Sequence, residues 1–310
     1  ADFNNIQDAI DAASNGDEVI VMPGTYTSTQ DGNVLNMLGK AVTLRSSDPS
    51  DPDVVAATII DGEDTRRGIY CGSTGNTNTI IMGLTITNGF ASATLGNNGG
   101  GILIDNRIAL IENCVINNNQ SNSSGGGIQL KGSGSTIRNC TIDNNSTLSS
   151  NGAGVDCYFS SPNIIDSTIT NNYAVRYGGA IACSQGSNVS LFGCNVFDNS
   201  AGENGGGLMS YSLAYNLTDT TLCSNMPNNI DTPCSPDCTG YNDGGGNTVS
   251  ETCPFDCSED INGDSNVDVS DLLIVIGYWG STDSPADVNE DGIVDVSDLL
   301  EVVGNWGPCE

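Results

Sequence analysis

The sequence predicts an all-β solenoid of stacked parallel strands, a parallel β-helix, followed by a small helical module. Residues 99 to 225 repeat every 26 or 27 residues, and a twelve-residue acidic loop occurs twice in the last fifty residues. A fixed period in this range is typical of stacked structural units. The repeats are marked by glycine-rich strand starts that lead into Ile102, Ile128, Val155, Ile181 and Leu208.

Each repeat, here called a coil, contains short strands instead of helices. Apolar residues alternate over short runs, as in Ile102 and Ile104, which is strand periodicity. One strand ends at the aliphatic column Ile116, Ile142, Ile169, Val196 and Leu222. Three positions later comes the amide column Asn119, Asn145, Asn172, Asn199 and Asn225. Since stacked coils lie about 4.8 Å apart, we expect the asparagines to form one hydrogen-bonded ladder.

Cysteines also recur at coil spacing. Cys114, Cys140 and Cys194 share an inward position with Ser167, and Cys157 and Cys183 share another. Neighbours in such columns lie within the Cα distance of a disulfide. Two alternatives stay open, namely disulfides between coils or buried thiols that pack as small apolar groups.

The front of the chain predicts a capping helix. Ile6, Ala9, Ile10 and Ala13 form an apolar face at helical spacing, with Asn4 and Gln7 expected to cap its start and Asn15-Gly16 to end it. A strand from Val19 to Met22 and a Pro23-Gly24 turn follow. This run resembles the N-terminal cap of pectate-lyase-like right-handed parallel β-helix proteins, and the Gly-Gly-Xaa-Ile repeats resemble those of bacterial surface β-helices. Together the two resemblances cover residues 1 to about 233. They imply the fold but no function, since this fold carries lyases, hydrolases and non-catalytic adhesins.

The last fifty residues contain the two acidic loops, 260–271 and 287–298, each followed by an apolar helix. Oxygen side chains at loop positions 1, 3, 5, 9 and 12 have the spacing that wraps a hard cation. The first set is Asp260, Asn262, Asp264, Asp268 and Asp271, and the second is Asp287, Asn289, Asp291, Asp295 and Asp298.

These loops resemble those of a type I dockerin, a paired loop-helix module. The resemblance implies two calcium ions (Ca2+), with Asn266 and Ile293 adding backbone carbonyls at position 7. Ser265 departs from the usual glycine at position 6, so we expect a weaker first site. Dockerins bind cohesin modules through positions 10 and 11, here Val269-Ser270 and Val296-Ser297. The partner expected is therefore a cohesin-like module, or another copy of this chain.

The amino-acid composition limits the possible partners and the cellular compartment of the protein. A net charge of −30 disfavours nucleic acid and anionic membranes, and no apolar run reaches the ~20 residues of a membrane span. Twelve cysteines without any histidine indicate disulfides and a secreted, extracellular or cell-surface protein. We expect three parts: the β-helix at 1–233, a Cys-rich connector at 234–257 and the dockerin-like domain at 258–310. Residues 242–249 are expected to add a final coil or cap, and Cys257 and Cys309 to clasp the last domain.

The sequence offers few catalytic candidates, and we assign none. Lys131, Arg138 and Arg107 would have to share a face for β-elimination, and solvated turn positions are the competing interpretation. Glycoside hydrolysis would need a carboxylate pair, drawn from Asp105, Glu112, Asp143, Asp156 and Asp166.

We therefore favour a non-catalytic structural, adhesive or scaffolding rod with a calcium-binding docking tail. Its open first coil suggests head-to-tail assembly of copies into filaments. The alternative is a polysaccharide lyase or glycoside hydrolase of the β-helix superfamily, carried by a dockerin. A glycan-binding module ranks last, because aromatic residues make up 5% of the chain and no Tyr or Trp ladder stands out at coil spacing.

Overall fold

The structure is a computed structural model that describes residues 3–28, 32–72, 78–211, 215–231, 241–251, 253, 261–262, 266–282, 284, 286–289, 291–304 and 306–308. The chain forms two compact units, Ala1–Glu251 and Thr252–Glu310. The first is built of parallel strands. The second contains two helices and a short antiparallel pair. No helix within the described ranges is long and apolar enough to cross a membrane.

Four parallel sheets form the first unit, and a full coil passes through sheets 1, 2, 3 and 4 in turn. Sheet 1 comprises Glu18–Val21, Thr43–Ser46, Asn78–Met82, Ile108–Glu112, Thr136–Arg138, Asn163–Ile165, Ser190–Phe192, Tyr215–Thr218 and Tyr241–Asp243. Sheet 2 comprises Gly24–Tyr26, Thr58–Asp61, Thr85–Thr87, Val115–Asn117, Thr141–Asp143, Thr168–Thr170, Asn195–Phe197, Thr221–Cys223 and Thr248–Val249. Sheet 3 comprises Phe90–Ala91, Gln120–Ser121, Ser146–Thr147, Tyr173–Ala174 and Ser200–Ala201. Sheet 4 comprises Asn33–Asn36, Arg67–Cys71, Ile102–Asp105, Ile128–Lys131, Val155–Tyr158, Ile181–Ser184, Leu208–Ser210 and Ile230–Asp231.

The strand register confirms the predicted period. In sheet 4, Ile102 pairs with Ile128, Ile128 with Val155, Val155 with Ile181, and Ile181 with Leu208. Equivalent residues of successive coils are therefore direct neighbours. The predicted aliphatic column from Ile116 to Leu222 is fully buried inside the coils. Each such side chain stabilises the fold by about 1.5–3 kcal/mol through burial.

The predicted asparagine ladder is confirmed along all five positions. From Asn145 onward, the side-chain oxygen of each asparagine accepts two hydrogen bonds from the asparagine before it, one from the backbone N–H and one from Nδ2. The oxygen of Asn119 accepts from the Gly89 N–H. The same Nδ2 groups also donate to carbonyls of the preceding coil, as from Asn145 to Ile116. The column continues at Asn229, whose Oδ1 accepts from Asn225. Buried amides therefore hydrogen-bond to the backbone at the corner between sheets 2 and 3 in the coils from Asn119 to Asn225.

The glycine-rich strand starts form tight corners between sheets 3 and 4. Gly125 has φ +69°, a conformation that favours glycine. At Gly126 an added Cβ would lie 2.4 Å from the backbone oxygen of Ser146 in the next coil. Glycine is therefore required here by the close approach of successive coils.

Helix α1, Ile6–Ala12, covers the first coil with Ile6 and Ile10 buried. The prediction of its ends was wrong by a few residues. Asn5, not Asn4, is the N-cap, because its Oδ1 accepts from the Asp8 N–H at 2.7 Å. The helix ends before Asn15-Gly16, where Lys40 Nζ donates to the carbonyls of Ile10 and Asp11. A second helix, α2, spans Pro52–Ala57, and a 3-10 turn spans Ala93–Leu95.

The stacked cysteines are thiols and not disulfides. Cys71, Cys114, Cys140, Cys157, Cys183 and Cys194 are all free and buried. The Cys114 thiol donates to the Glu112 carbonyl and the Cys140 thiol to that of Arg138, each at 3.2 Å. Cys223 and Cys253 are disulfide-bonded. The proposed clasp between Cys257 and Cys309 lies outside the described residues.

The suggested final coil is present. Tyr241–Asp243 pairs with the Tyr215–Thr218 strand, and Thr248–Val249 pairs with Thr221 and Leu222. These strands extend sheets 1 and 2 by one step. The solenoid therefore runs beyond residue 233 to about residue 249.

Candidate functional site

The second acidic loop is folded around its own oxygen side chains. The Asp291 N–H donates to Asp287 Oδ1 at 3.1 Å and to Asn289 Oδ1 at 2.9 Å. The Gly292 N–H donates to the other Asp287 oxygen at 2.9 Å, and the Ile293 N–H to Asp291 Oδ1 at 3.1 Å. Positions 1, 3 and 5 of the loop are thus held in one turn, with lone pairs left over for another partner.

The carboxylate at position 12 joins the two ends of this loop. Asp298 is fully buried and accepts the N–H groups of Asn289, at 3.3 Å, and Asp295, at 2.8 Å. Asp298 lies in the first turn of helix α4, which spans Val296–Gly304. The sequence places an aspartate here because the last loop ligand is also in the first turn of the helix, where a negative charge is favourable.

The first loop repeats this arrangement where it is described. Asp271 is fully buried and accepts the N–H groups of Asn262 at 3.1 Å and Asp268 at 2.9 Å. Asp268 and Asp271 form a capping box at the start of helix α3, Val269–Gly277. Asp260 and Asp264 lie outside the described residues, as does the side chain of Asn266.

The residues of both loops fit a hard divalent cation. Asp271 and Asp298 are buried carboxylates, and burying a charge without a counter-charge is costly. No Lys or Arg follows Arg176 in the sequence, so no basic side chain of the tail can neutralise them. Within the described ranges no three His, Cys, Asp or Glu side chains converge on one point. The expected sets also use Asn side chains and carbonyl oxygens.

The two tail helices expose matching apolar stripes. On α3 these are Val269, Leu273 and Ile276, and on α4 Val296, Leu300 and Val303. Leu273 is 61% exposed and Leu300 62%, although Val275 and Val302 of the same helices are buried in the tail core. Exposed apolar stripes next to polar loops are typical of a protein-binding surface.

On the rod, all eight Lys and Arg residues are engaged in structural contacts. Five form ion pairs: Arg45 with Glu18, Arg66 with Glu63, Lys131 with Asp105, Arg138 with Glu112, and Arg176 with Glu203. Lys40 caps α1. Arg67 and Arg107 are buried, where Arg67 donates to the Asn98 and Gly99 carbonyls and Arg107 to that of Gly39.

The basic candidates therefore do not meet on one face. Lys131 lies on sheet 4, Arg138 lies on sheet 1, and Arg107 is buried between those sheets. The interpretation of Lys131 and Arg138 as turn residues was also wrong, because both are strand residues in ion pairs.

Among the candidate carboxylates, Asp156 is in an unusual environment. Asp105 and Glu112 are neutralised by Lys131 and Arg138, and Asp143 accepts from Asn171 Nδ2. Asp156 lies on the outer face of sheet 4 but is 5% exposed. Burial raises the pKa of its carboxyl to about 7, although a hydrogen bond from Gln129 at 2.7 Å acts in the opposite direction.

Sequence reasoning missed tyrosines at coil spacing. Tyr215 pairs directly with Tyr241 at the end of sheet 1. On sheet 4, Tyr158 pairs with Ser184, and Tyr211 follows one coil further on, since its N–H donates to the Cys183 carbonyl. Tyr158 and Tyr211 are 53 residues apart, which is two repeats of 27 and 26. Comparing alternate coils in addition to neighbouring ones would have found this pair.

These features define a parallel β-helix protein with a paired loop-helix tail. The chain belongs to the family described as the right handed beta helix region, whose profile matches residues 56–222 and 100–256. Residues 258–305 match the dockerin type I domain. A search of the curated proteins finds no match. The predicted right-handed β-helix with a dockerin module is confirmed.

Among solved structures, the chain is similar to the crystal structure of pectate lyase Pel9A. The TM-score is 0.53 at 14% identity, and the match covers 79% of this chain and 63% of that one. At this identity the likeness shows the fold. Type I dockerin domains bind calcium and dock onto cohesin partners. β-Helix proteins that carry a dockerin are typically extracellular.

Proposed function

We propose that this protein is a secreted, non-catalytic β-helix rod that is attached to a cohesin-type partner through its calcium-loaded tail. The observation that supports it most directly is the engagement of all eight Lys and Arg side chains. β-Elimination from a uronic acid needs an uncommitted base and positive charge around the substrate carboxylate. This rod supplies neither from its basic residues, and the chain has no histidine.

The likeness to a pectate lyase favours one alternative, a lyase delivered by its dockerin. The test is to incubate the full chain with polygalacturonate and calcium and to follow the absorbance of the unsaturated product. We expect no turnover. Turnover that disappears in Lys131→Ala or Arg138→Ala, but not in the distant Arg66→Ala, would establish the lyase instead.

We propose two calcium ions in the tail. Asp260, Asn262, Asp264, Asp268 and Asp271, with the carbonyl of Asn266, would hold one. Asp287, Asn289, Asp291, Asp295 and Asp298, with the carbonyl of Ile293, would hold the other. The ions would neutralise the buried Asp271 and Asp298 and fix the loops against α3 and α4. Titration calorimetry of the full chain should give a stoichiometry of two.

We propose that the partner binds the exposed stripes of α3 and α4, next to Val269-Ser270 and Val296-Ser297. The two stripes are nearly equivalent, so either helix can present the same chemistry. The test is co-purification with a cohesin module in calcium and in chelator. We expect Leu273→Asp or Leu300→Asp alone to retain binding, and the double variant to lose it. If the double variant binds like the unchanged chain, the stripes are not the docking surface.

Head-to-tail filaments are not part of this proposal. The strands Glu18–Val21 and Ile230–Asp231 end their sheets among the described residues, and helix α1 covers the core of the first coil. Asp17 lies at one end and Asp231 and Glu251 near the other. Like charges oppose contact between copies.

A further inference from the structure

The outer face of sheet 4 presents two tyrosine rings in one column. Tyr158 and Tyr211 are separated by one intervening coil, which carries Ser184. Two coil steps correspond to about 9.6 Å. Tyr158 is 38% exposed and Tyr211 39%, so each offers part of its ring to solvent.

Both rings are held in place by neighbours. Tyr211 packs edge-to-face on Tyr177 with ring centroids 5.8 Å apart. Tyr177 is in turn fixed by the Arg176 guanidinium, 5.0 Å from its centroid, and Arg176 pairs with Glu203 at 3.0 Å. Tyr158 packs edge-to-face on Phe159 at 4.8 Å. A ring that is already ordered loses little freedom when a ligand stacks on it.

Polar groups lie beside this pair on the same face. Asp156 is two residues before Tyr158, and its column neighbours are Gln129 and the small Ala182. Asp156 and Asn151 both interact with Tyr211. The side-chain oxygen of Asn151 is buried and has no hydrogen-bond partner in the part of the chain that the structure describes. The contacts with Asp156 and Asn151 fix the Tyr211 ring from below and leave its outer part exposed.

We propose that this face binds an extended, neutral, β-linked glycan. The rings of Tyr158 and Tyr211 would stack on the apolar faces of two sugars, while the buried Asp156, Gln129 and Asn151 would hold the surface beneath the rings in place. Flat apolar platforms beside a few fixed polar groups are the usual composition of such a site. The two-coil spacing is similar to the two-sugar repeat of an extended β-linked chain.

The negative charge of this face favours a neutral glycan over an acidic one. Asp105 and Asp156 lie on it, and its basic residue Lys131 is already paired with Asp105 at 3.5 Å. The whole chain has a net charge of −30. An acidic glycan would therefore be repelled. The inference goes beyond docking, because it assigns what the rod itself holds once the tail has attached it.

The test uses the full chain in calcium with cellohexaose, xylohexaose, mannohexaose and hexagalacturonate as probes in titration calorimetry. At least one neutral hexaose should bind, and hexagalacturonate should bind at least tenfold more weakly. Tyr158→Ala and Tyr211→Ala should each weaken the neutral ligand by about fivefold to tenfold. Tyr158→Phe and Tyr211→Phe keep the ring and should retain most of the affinity.

Tyr173→Ala is the matched control, since Tyr173 is an exposed tyrosine on sheet 3. The inference is overturned if no neutral hexaose binds, if hexagalacturonate binds more tightly, or if Tyr173→Ala weakens binding as much as the sheet 4 variants. Cohesin co-purification of the same samples tests the proposed docking separately, so the two failures can be told apart.

Discussion

The side-chain oxygen of Asn172 accepts two hydrogen bonds from Asn145, at 2.9 Å from the backbone nitrogen and 3.0 Å from Nδ2. Asn145 does the same for Asn119 in the coil before. Each asparagine therefore completes the corner of its neighbour as well as its own. The stability of one coil depends on an acceptor that the next coil supplies.

Replacing Asn145 by Ala should destabilise the rod by about 3 kcal/mol, because the buried Asn119 N–H would lose its acceptor and the Ile116 carbonyl would lose the donor Asn145 Nδ2. Denaturant unfolding followed by far-UV circular dichroism measures this. The control is Asn144→Gly, which removes an exposed side chain and keeps the φ of +50° available. Equal losses for both variants would show that the ladder does not stabilise the rod.

Removing calcium should unfold the tail and leave the rod intact. Both tryptophans of the chain, Trp279 and Trp306, lie in the tail, so their fluorescence reports on it alone. With chelator we expect the tryptophan transition to shift to much lower temperature, while far-UV circular dichroism still shows the rod melting as before. A tryptophan transition that ignores the chelator would contradict a calcium-dependent tail.

Asp298→Asn and Asp271→Asn should each weaken one calcium site by about tenfold or more, because the removed charge is buried at the last loop position. Glu301→Gln, on an exposed face of α4 outside the loop, is the charge-matched control. Calorimetric titration of the three variants gives the comparison. Loss of affinity in Glu301→Gln as large as in Asp298→Asn would mean that general charge, and not ligation, sets the affinity.

The six rod thiols should resist alkylation in the native protein. Burial raises the pKa of Cys71 to about 12 and that of Cys194 to about 11, so the reactive thiolate is scarce and also inaccessible. In guanidinium without reductant we expect all six to be modified, whereas Cys223 and Cys253 should require reduction first. Peptide mass spectrometry of the two samples reads this out. Modification of Cys114 or Cys140 only after reduction would indicate a disulfide in their column.

Asp156 should make the rod less stable as pH rises. Its folded pKa of about 7 lies above the unfolded value, so the folded state binds the proton more tightly, and stability is lost between about pH 4 and pH 7. Asp156→Asn lacks this loss and should gain stability relative to the unchanged protein over that range, on the order of 4 kcal/mol by pH 8. Unfolding free energies at pH 4 to 8 test it.

Gln129→Met provides a second comparison for Asp156. Gln129 donates to the Asp156 carboxylate and thereby lowers its pKa. Without this hydrogen bond the pKa of Asp156 should rise further, so the loss of stability should extend to higher pH. Parallel pH profiles for all three proteins would show that Asp156 does not titrate in this range.

Much of the fold was predictable because the coils repeat. Ile142 and Asn145 recur at a fixed spacing, and stacking turns that spacing directly into contacts. The cap of α1 was misplaced because Asn4 and Asn5 are equally good caps by sequence, and only the packing of Ile6 and Ile10 under the first coil chooses between them. The state of Cys114 and Cys140 could not be predicted, since the same column spacing suits a disulfide and a pair of thiols.

The two candidate sites also differ in how far the sequence alone could predict them. Loop ligands such as Asp287 and Asp298 are close in sequence, so their spacing alone predicts the cation chemistry. Tyr158 and Tyr211 come together through two coils of intervening chain, and the burial of Asp156 depends on the corner formed by Gly152. Such sites depend on tertiary packing, which no local pattern records.

The asparagine column also determines how this rod can change in evolution. Every coil offers the same acceptor to one side and the same donors to the other, so a whole coil can be duplicated or deleted without leaving a mismatched junction. A partial insertion would break the column at once. The β-helices of relatives should therefore differ in length by whole multiples of about 4.8 Å, the rise of one complete coil.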